Sequence, residues 1–365
     1  MKNEYHQLRT GFTTGACAAA ASAAAARTAL RGSGTDSIEI TIPNGQQVVF
    51  ALKHTAYLGD ARASASVIKD AGDDPDCTHG IEIAAEVRLS SEINGVVITG
   101  GEGVARVTKP GLGLEVGTFA INPVPRKNIT EMVLRELHGS AFSGAEVKIT
   151  VPDGREVAKQ TSGELLGLIG GISILGTSGI VKPYSTAAYK ASIVKQISVI
   201  AAEGLKTVVL TTGGRSEKAA RKLCPDLADE EFVRCGDYIG AGIKAAVKQK
   251  LDEVIIVTMI GKISKIANGD MHTHINASGI DINFISGVVC QITDDEQLLN
   301  EVKNANTARH VLELAEKSGI AAEFCGRLTE LALNAVTAYS EEKINVTVHL
   351  VDFASNLIET KCFFR

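Results

Sequence analysis

The sequence predicts a mixed chain of two domains, an α+β domain with two related halves followed by a parallel α/β domain. Three observations carry this expectation. A glycine- and threonine-rich turn runs straight into an alanine-rich helix near the start. Alternating strands that meet Pro-Asn-Gly or Pro-Asp-Gly turns recur twice within the first 160 residues. Beyond them, continuous Val/Ile/Leu runs alternate with helical patterns, as in a parallel sheet covered on both faces. A length of 365 residues also suits about two domains.

The first helix is expected over Ala16 to Leu30, with a stop at Gly32-Ser33. Thr10, Gly11, Thr13, Thr14 and Gly15 form the turn before it. Two readings of that turn stand. Thr13 or Thr14 caps a buried helix, or the free N–H groups and the positive end of the helix dipole receive an anion. Next, SIEITIPNGQQVVF (37–50) and AEVKITVPDGREVAK (145–159) each read as a strand, a turn and a second strand, and a helix at 129–137 precedes the second copy. Between them, IEIAAEVRL and residues 96–99 read as strands. A long glycine-rich loop then runs to Arg126, and loops of that length are usually functional.

In the second half, GISILGT (171–177) reads as a strand followed by a helix from 185 to 203. TVVLTTGG (207–214) precedes helices at 216–223 and 237–250, and EVIIVTMIGK (253–262) precedes a short helix. Helices at 294–318 and 321–338 lead to a strand at 344–352. The expected domains are 1–160, 161–300 and 301–365, the last packing on either of the others.

Composition narrows the function. Hydrophobic residues make up 45% and aromatic residues 4%, with no Trp, so the core must be aliphatic and alanine-packed. A formal net charge of −5 opposes a globally basic nucleic-acid binder but allows local cations to hold an anionic small molecule. Seven scattered cysteines without a CxxC pair suit reduced thiols and a cytoplasmic location. No run reaches the roughly 18 apolar residues of a membrane span, and no targeting signal is read. No protein-bound metal is expected, because His272 and His274 alone make a weak site. Self-association is left open.

The glycine-rich strand ends are the sharpest functional signal. Gly176-Thr177, Thr212-Gly213-Gly214-Arg215 and Gly261-Lys262 each follow an expected strand, where an open α/β sheet binds ligands. Ordinary capped turns are the competing reading. GxxxxGK[ST], GxSxG and HExxH are absent. Asp237, after Gly236, reads as a helix cap or a ligand contact. Glu102 is either solvated or part of a site. Arg9, Arg106, Lys109, Arg126, Lys182, Arg215 and Lys262 lie in or beside glycine-rich loops, where they suit carboxylates or phosphates.

The blocks LRTGFTTGACAAAA, TGGEGVARVTKPGLGLEVGTFAINPVPR, GGISILGTSGIVKPYS, LTTGGRSE, GDYIGAGIK and Thr273-His274 follow one another in this order. Together they resemble the cobalt-precorrin-5B C1-methyltransferase family of anaerobic cobalamin biosynthesis. The resemblance runs from about Leu8 to Ile285. It implies transfer of a methyl group from S-adenosylmethionine to C1 of cobalt-precorrin-5B, giving cobalt-precorrin-6A, and a Rossmann-like second domain. The cobalt would arrive with the substrate, an anionic tetrapyrrole, with no nucleic acid or membrane partner. On this reading Gly176, Thr177, Thr212, Gly213, Gly214, Arg215, Gly236 and Gly240 bind the methyl donor. Arg9, Thr13, Gly15, Gly101, Glu102, Arg106, Lys109 and Arg126 bind the tetrapyrrole between the domains. Thr14, Asp237 and His274 orient the reacting carbon. The alternatives are a non-catalytic carrier of a cobalt tetrapyrrole and a nucleotide-dependent enzyme of another class.

Overall fold

The computed structural model describes residues 8–274 and 280–365. The chain is mixed α/β and divides into two compact units, Met1–Ser185 and Thr186–Arg365.

The first unit is built around the helix Thr14–Arg31, which is buried at every position from Thr14 to Ala26. Alanine allows this, because a helix that is small on every side can be enclosed by a sheet and a second helix at once. Gly32, at φ 70°, ends it with its N–H on the Thr28 carbonyl, the left-handed stop expected of glycine. A five-stranded sheet lies against it, in the order His54–Gly59, Arg62–Ile68, Glu82–Ser90, Gly144–Thr150, Gly95–Gly100. All pairs are antiparallel except the last. Ile83, Ala85, Val87 and Leu89 alternate into the core with Ala145, Val147 and Ile149, as the period of two requires.

The Asn-Gly turn does close a hairpin, Ser37–Thr41 with Gln47–Ala51. The Asp-Gly turn does not. Gly144–Thr150 is followed by the short helix Gly154–Ala158. A Cβ on Gly154 would stand 2.2 Å from the Gly103 carbonyl oxygen, so close packing on Gly103 replaces the second strand. The two halves are therefore not repeats of one motif.

The expected strand at 171–177 is also relocated. Gly171–Ile172 pairs in parallel with Gly103–Val104, Leu168–Ile169 pairs with Arg106–Val107, and Ile180–Val181 pairs with Gly11–Phe12. The segment 168–181 is thus woven into the first unit, and the boundary falls at 185 rather than near 160. These short pairings also give structure to the glycine-rich segment before Arg126. Pro123 and Pro125 open the helix Pro123–Leu137, where a missing N–H costs nothing.

The second unit holds a sheet in the order Phe232–Arg234, Thr207–Thr211, Glu253–Met259, Asn345–Val351, Leu357–Phe363. The first three pairings are parallel and the last antiparallel. Val208 and Leu210 pack into one core with Ile193, Ile243 and Phe324. Val209 faces the other side, with Ala219 and Ala220 of the helix Gly214–Leu223. Both faces are covered, which explains the unbroken apolar strands. The strand read at 344–352 joins this sheet, so residues 301–365 are part of the second unit.

One buried charge pair is central to the first unit. Lys69, 1% exposed, donates to Asp76 at 2.7 Å. Burial alone would raise the Asp76 carboxyl, but hydrogen bonds from Lys69 and Thr78 hold it below the usual range. Asp76→Ala leaves the ammonium buried and unpaired and should cost about 3–5 kcal/mol in urea denaturation at neutral pH. The pair's contribution should be complete above the ordinary Asp value of about 3.9 and fade as pH falls through the lower folded value. A variant as stable as the parent would contradict this.

Candidate functional site

In the second unit the strand order reverses between Thr207–Thr211 and Glu253–Met259. The chain leaves Thr207–Thr211 for the outer strand Phe232–Arg234, then returns past it to Glu253–Met259 on the other side. At such a switch point the two connections diverge and leave a crevice beyond the carboxyl ends. A cavity of about 340 Å³ lies there, lined by Thr212, Gly213, Gly214, Arg215, Ser216, Met259, Gly261, Lys262 and Phe353.

Two helices begin at this cavity, Gly214–Leu223 and Ile260–Ala267, and neither start carries a side-chain cap. Their first N–H groups are available to a bound group. The glycines here differ from most others in the chain. A Cβ at Gly213 or Gly261 would meet nothing within 4 Å, and one at Gly214 only the Arg234 guanidinium at 3.8 Å. Gly213, at φ 168°, has ordinary extended backbone. Neither crowding nor a positive φ requires glycine at these three positions.

Lys262 ties the strand ends together. Its ammonium donates to the Thr212 carbonyl at 2.9 Å and the Gly236 carbonyl at 3.3 Å, and pairs with Asp237 at 2.9 Å. Asp237 also accepts from the Thr273 hydroxyl at 3.3 Å, and its backbone carbonyl takes the Thr273 N–H. Burial pushes the Asp237 carboxyl up, but Lys262, the charge of His274 and the Thr273 hydroxyl hold it below the usual range. Thr212 is fixed from behind, its N–H on Ser216 Oγ at 3.1 Å and its hydroxyl 3.1 Å from that of Thr258. Tyr238 stacks on His272 at 4.7 Å, and the His272 and His274 rings lie 6.3 Å apart.

Thr212, Gly213, Gly214 and Arg215 therefore line one cavity, and the Lys262 brace links Gly236 and Asp237 to its edge. Gly240 is explained by packing, since its Cβ would approach Met271 and Tyr339 to 2.8 Å. Gly176 and Thr177 follow no strand of this sheet. They lie in the first unit, where a Cβ on Gly176 would stand 2.4 Å from the Thr13 hydroxyl. Phe353 and the strand Phe232–Arg234 escaped the sequence reading. The strand is three residues long and Phe353 lies in a turn, so neither has a periodic signal.

In the first unit the turn before the first helix is closed by its own chain. Thr13 is the cap, its hydroxyl accepting from the Ala16 N–H, and the Gly15 N–H donates to the Leu175 carbonyl. The Thr14 hydroxyl, buried, donates toward the Ser173 and Leu175 carbonyls and accepts from the Leu175 N–H at 2.9 Å. Of the two readings of this turn, capping is the one the hydrogen bonds fill. Gly15 and Gly101 are needed for packing against Pro125 and against Lys148 and Thr150. Arg9 chelates Asp70, whose carboxyl it holds down at about 2, and Arg9 N–H donates to Asp73.

Arg106 lies 3.8 Å over the Phe119 ring and donates to the Gly117 carbonyl. Lys109 packs beside Gly167, and the Glu102 backbone carbonyl accepts from Val151. Arg126 is half-buried and donates to the Ile121 and Ile98 carbonyls at 2.9 and 3.1 Å. Among the described residues it pairs with no carboxylate, and burial lowers its pKa.

The family model described as CbiD matches residues 1–183, and one described as CbiD, C-terminal domain, matches 272–361. A cobalt-precorrin-5B C(1)-methyltransferase of Leptospira interrogans is 51% identical over 96% of this chain and 95% of its own length. One from Priestia megaterium is 47% identical over 87% and 86%, and one from Salinispora tropica 44% over 95% and 90%. A crystal structure of cobalamin biosynthesis protein (cbiD) from Archaeoglobus fulgidus is 31% identical, covering 73% of this chain and 82% of that one, with a TM-score of 0.41.

Two outcomes follow from this geometry. Lys262→Met removes the group that lowers Asp237, so a carboxyl NMR titration should find its midpoint raised, and an unmoved midpoint would contradict the brace. Thr14→Val strands buried backbone groups and should cost about 1–3 kcal/mol in thermal or urea unfolding. A neutral effect would remove Thr14 from the framework.

Proposed function

The chain belongs to the CbiD family, and on that premise we propose how its second unit serves the family's reaction. The chain is a methyltransferase of cobalamin biosynthesis, methylating cobalt-precorrin-5B at C1. The donor in this reading is S-adenosylmethionine, held at the carboxyl ends of Thr207–Thr211 and Glu253–Met259. The observation that carries it is the trio Gly213, Gly214 and Gly261, which face a cavity and have no structural reason to be glycine. The uncapped helix starts beside them suit the donor's carboxylate. The finer fold reading belongs with it: the parallel order and its switch point support a Rossmann-like second unit.

Methyl transfer asks little else of the protein. The S–CH₃ bond breaks as the C1–CH₃ bond forms, and the electron pair of the broken bond stays on sulfur, cancelling its positive charge. The step needs sulfur, methyl and C1 in line, and alignment of this kind contributes up to about 7–11 kcal/mol. A cavity with fixed walls supplies alignment, and the Lys262 brace fixes these walls. Asp237 and His274, beside that brace, are the side chains proposed to orient the reacting carbon. A carboxylate-rich macrocycle also needs cations, and Arg126, which pairs with no carboxylate among the described residues, is a first-unit group suited to that task. The cobalt enters as part of the substrate. Nothing in the geometry favours the carrier reading.

Gly213→Val tests the placement. The added side chain meets no neighbour at its Cβ, so the thermal midpoint should hold. Calorimetric affinity for S-adenosylmethionine should fall about tenfold or more, about 1.4 kcal/mol or above, with ATP–magnesium giving no heat of binding in the parent. Parent-like affinity in the variant would move the donor elsewhere.

A further inference from the structure

Phe353 is the one large apolar side chain exposed on the cavity wall at the end of Asn345–Val351, 46% accessible to solvent. Two guanidiniums flank its ring, Arg309 at 4.6 Å and Arg215 at 5.6 Å. The turn that carries the ring is fixed by hydrogen bonds. The Asp352 carboxylate accepts from Asn356 N at 2.7 Å and Nδ2 at 2.9 Å, and the Ser355 hydroxyl donates to the Arg215 carbonyl at 3.2 Å. The nearby negative charges are already engaged, Asp352 by Asn356 and Glu313 by Arg309 at 2.9 Å. Arg215 pairs with no carboxylate among the described residues.

The strand order separates this corner from the other end of the crevice. Asp237 follows Phe232–Arg234, on one side of the glycine turn, and Phe353 follows Asn345–Val351, two strands away on the other. On the Asp237 side the carboxylate is already paired with Lys262 at 2.9 Å. The Phe353 side offers an exposed ring face between two cations, which suits a flat ligand edged with carboxylates.

We propose that Phe353, with Arg215 and Arg309, is a substrate subsite that receives the carboxylated rim of the tetrapyrrole, next to the methyl donor. It rests on the placement of the donor at Gly213 and Gly214. The ring stacks on the macrocycle, and the guanidiniums take its carboxylates. The subsite sets affinity for the acceptor and not for the donor.

Steady-state turnover of the full-length protein on cobalt-precorrin-5B separates these roles. Phe353→Ala, and separately Arg309→Gln, should raise the macrocycle KM about tenfold while S-adenosylmethionine affinity by calorimetry stays within about twofold. Phe353→Tyr, which keeps the ring, should restore the parent KM. The side chain is half-exposed on a turn, and thermal unfolding of each variant checks the fold. A loss of donor affinity with an unchanged macrocycle KM would overturn the proposal by assigning the ring to the donor's adenine. No change in either constant would overturn it as well. Parent-like donor affinity in Gly213→Val would instead overturn the donor placement on which it rests.

Discussion

The ammonium of Lys262 is the interaction on which the candidate site depends. Three strand ends emerge side by side from the second sheet, and nothing in sheet geometry fixes the loops beyond them. One cation joins the Thr212 carbonyl, the Gly236 carbonyl and the Asp237 carboxylate. A charge-assisted bond in a partly closed site is stronger than a neutral one, and here it ties two loops to the start of the helix Ile260–Ala267. The walls of the cavity and the position of Asp237 follow from it. Asp237 is held ionised by the same contact, so brace and carboxylate stand or fall together.

The chemistry suits so plain a site. Displacement at a methyl group calls for distance and alignment and not for a proton relay. In the proposed reading, glycines that leave room, uncapped helix starts and a fixed loop frame meet that demand. The glycines named above differ on this basis, while others such as Gly32 and Gly45 are uncrowded but hold a positive φ. Gly15, Gly101, Gly154, Gly176 and Gly240 are small because backbone or side chains crowd them. Gly213, Gly214 and Gly261 are small although nothing in the chain crowds them.

Much of the fold was legible, because it is written in local periodicity. The alanine helix, the alternating strand Glu82–Ser90 and the apolar strands Thr207–Thr211 and Glu253–Met259 all follow from spacing and residue type. What escaped depends on distant partners. Residues 171–172 look like a strand of the second sheet but pair with Gly103–Val104. The Asp-Gly turn at 153–154 resembles the Asn-Gly turn at 44–45 but meets Gly103 instead of a partner strand. The site was legible in the same measure. Thr212 to Arg215 and Lys262 stand out as strand ends, whereas Phe353 reaches the cavity only because the last parallel strand, 345–351, lies beside 253–259. The threonines of the first turn allow a cap or a ligand, and in the structure the Thr14 hydroxyl and the Thr13 and Gly15 N–H groups are engaged by residues 173–179 while the Thr13 hydroxyl accepts from the Ala16 N–H. A sequence names such donors without naming their acceptors.

The central claim is that the methyl donor lies on the glycine turn of the second unit. A crystal structure of the protein grown with S-adenosylhomocysteine, the product left after transfer, tests it most directly. The account predicts the nucleoside thioether in the crevice against Gly213, Gly214 and Gly261, with Lys262 still bridging Thr212, Gly236 and Asp237. The product bound instead at the Thr13 to Gly15 turn of the first unit, with the crevice of the second left to solvent, would contradict it.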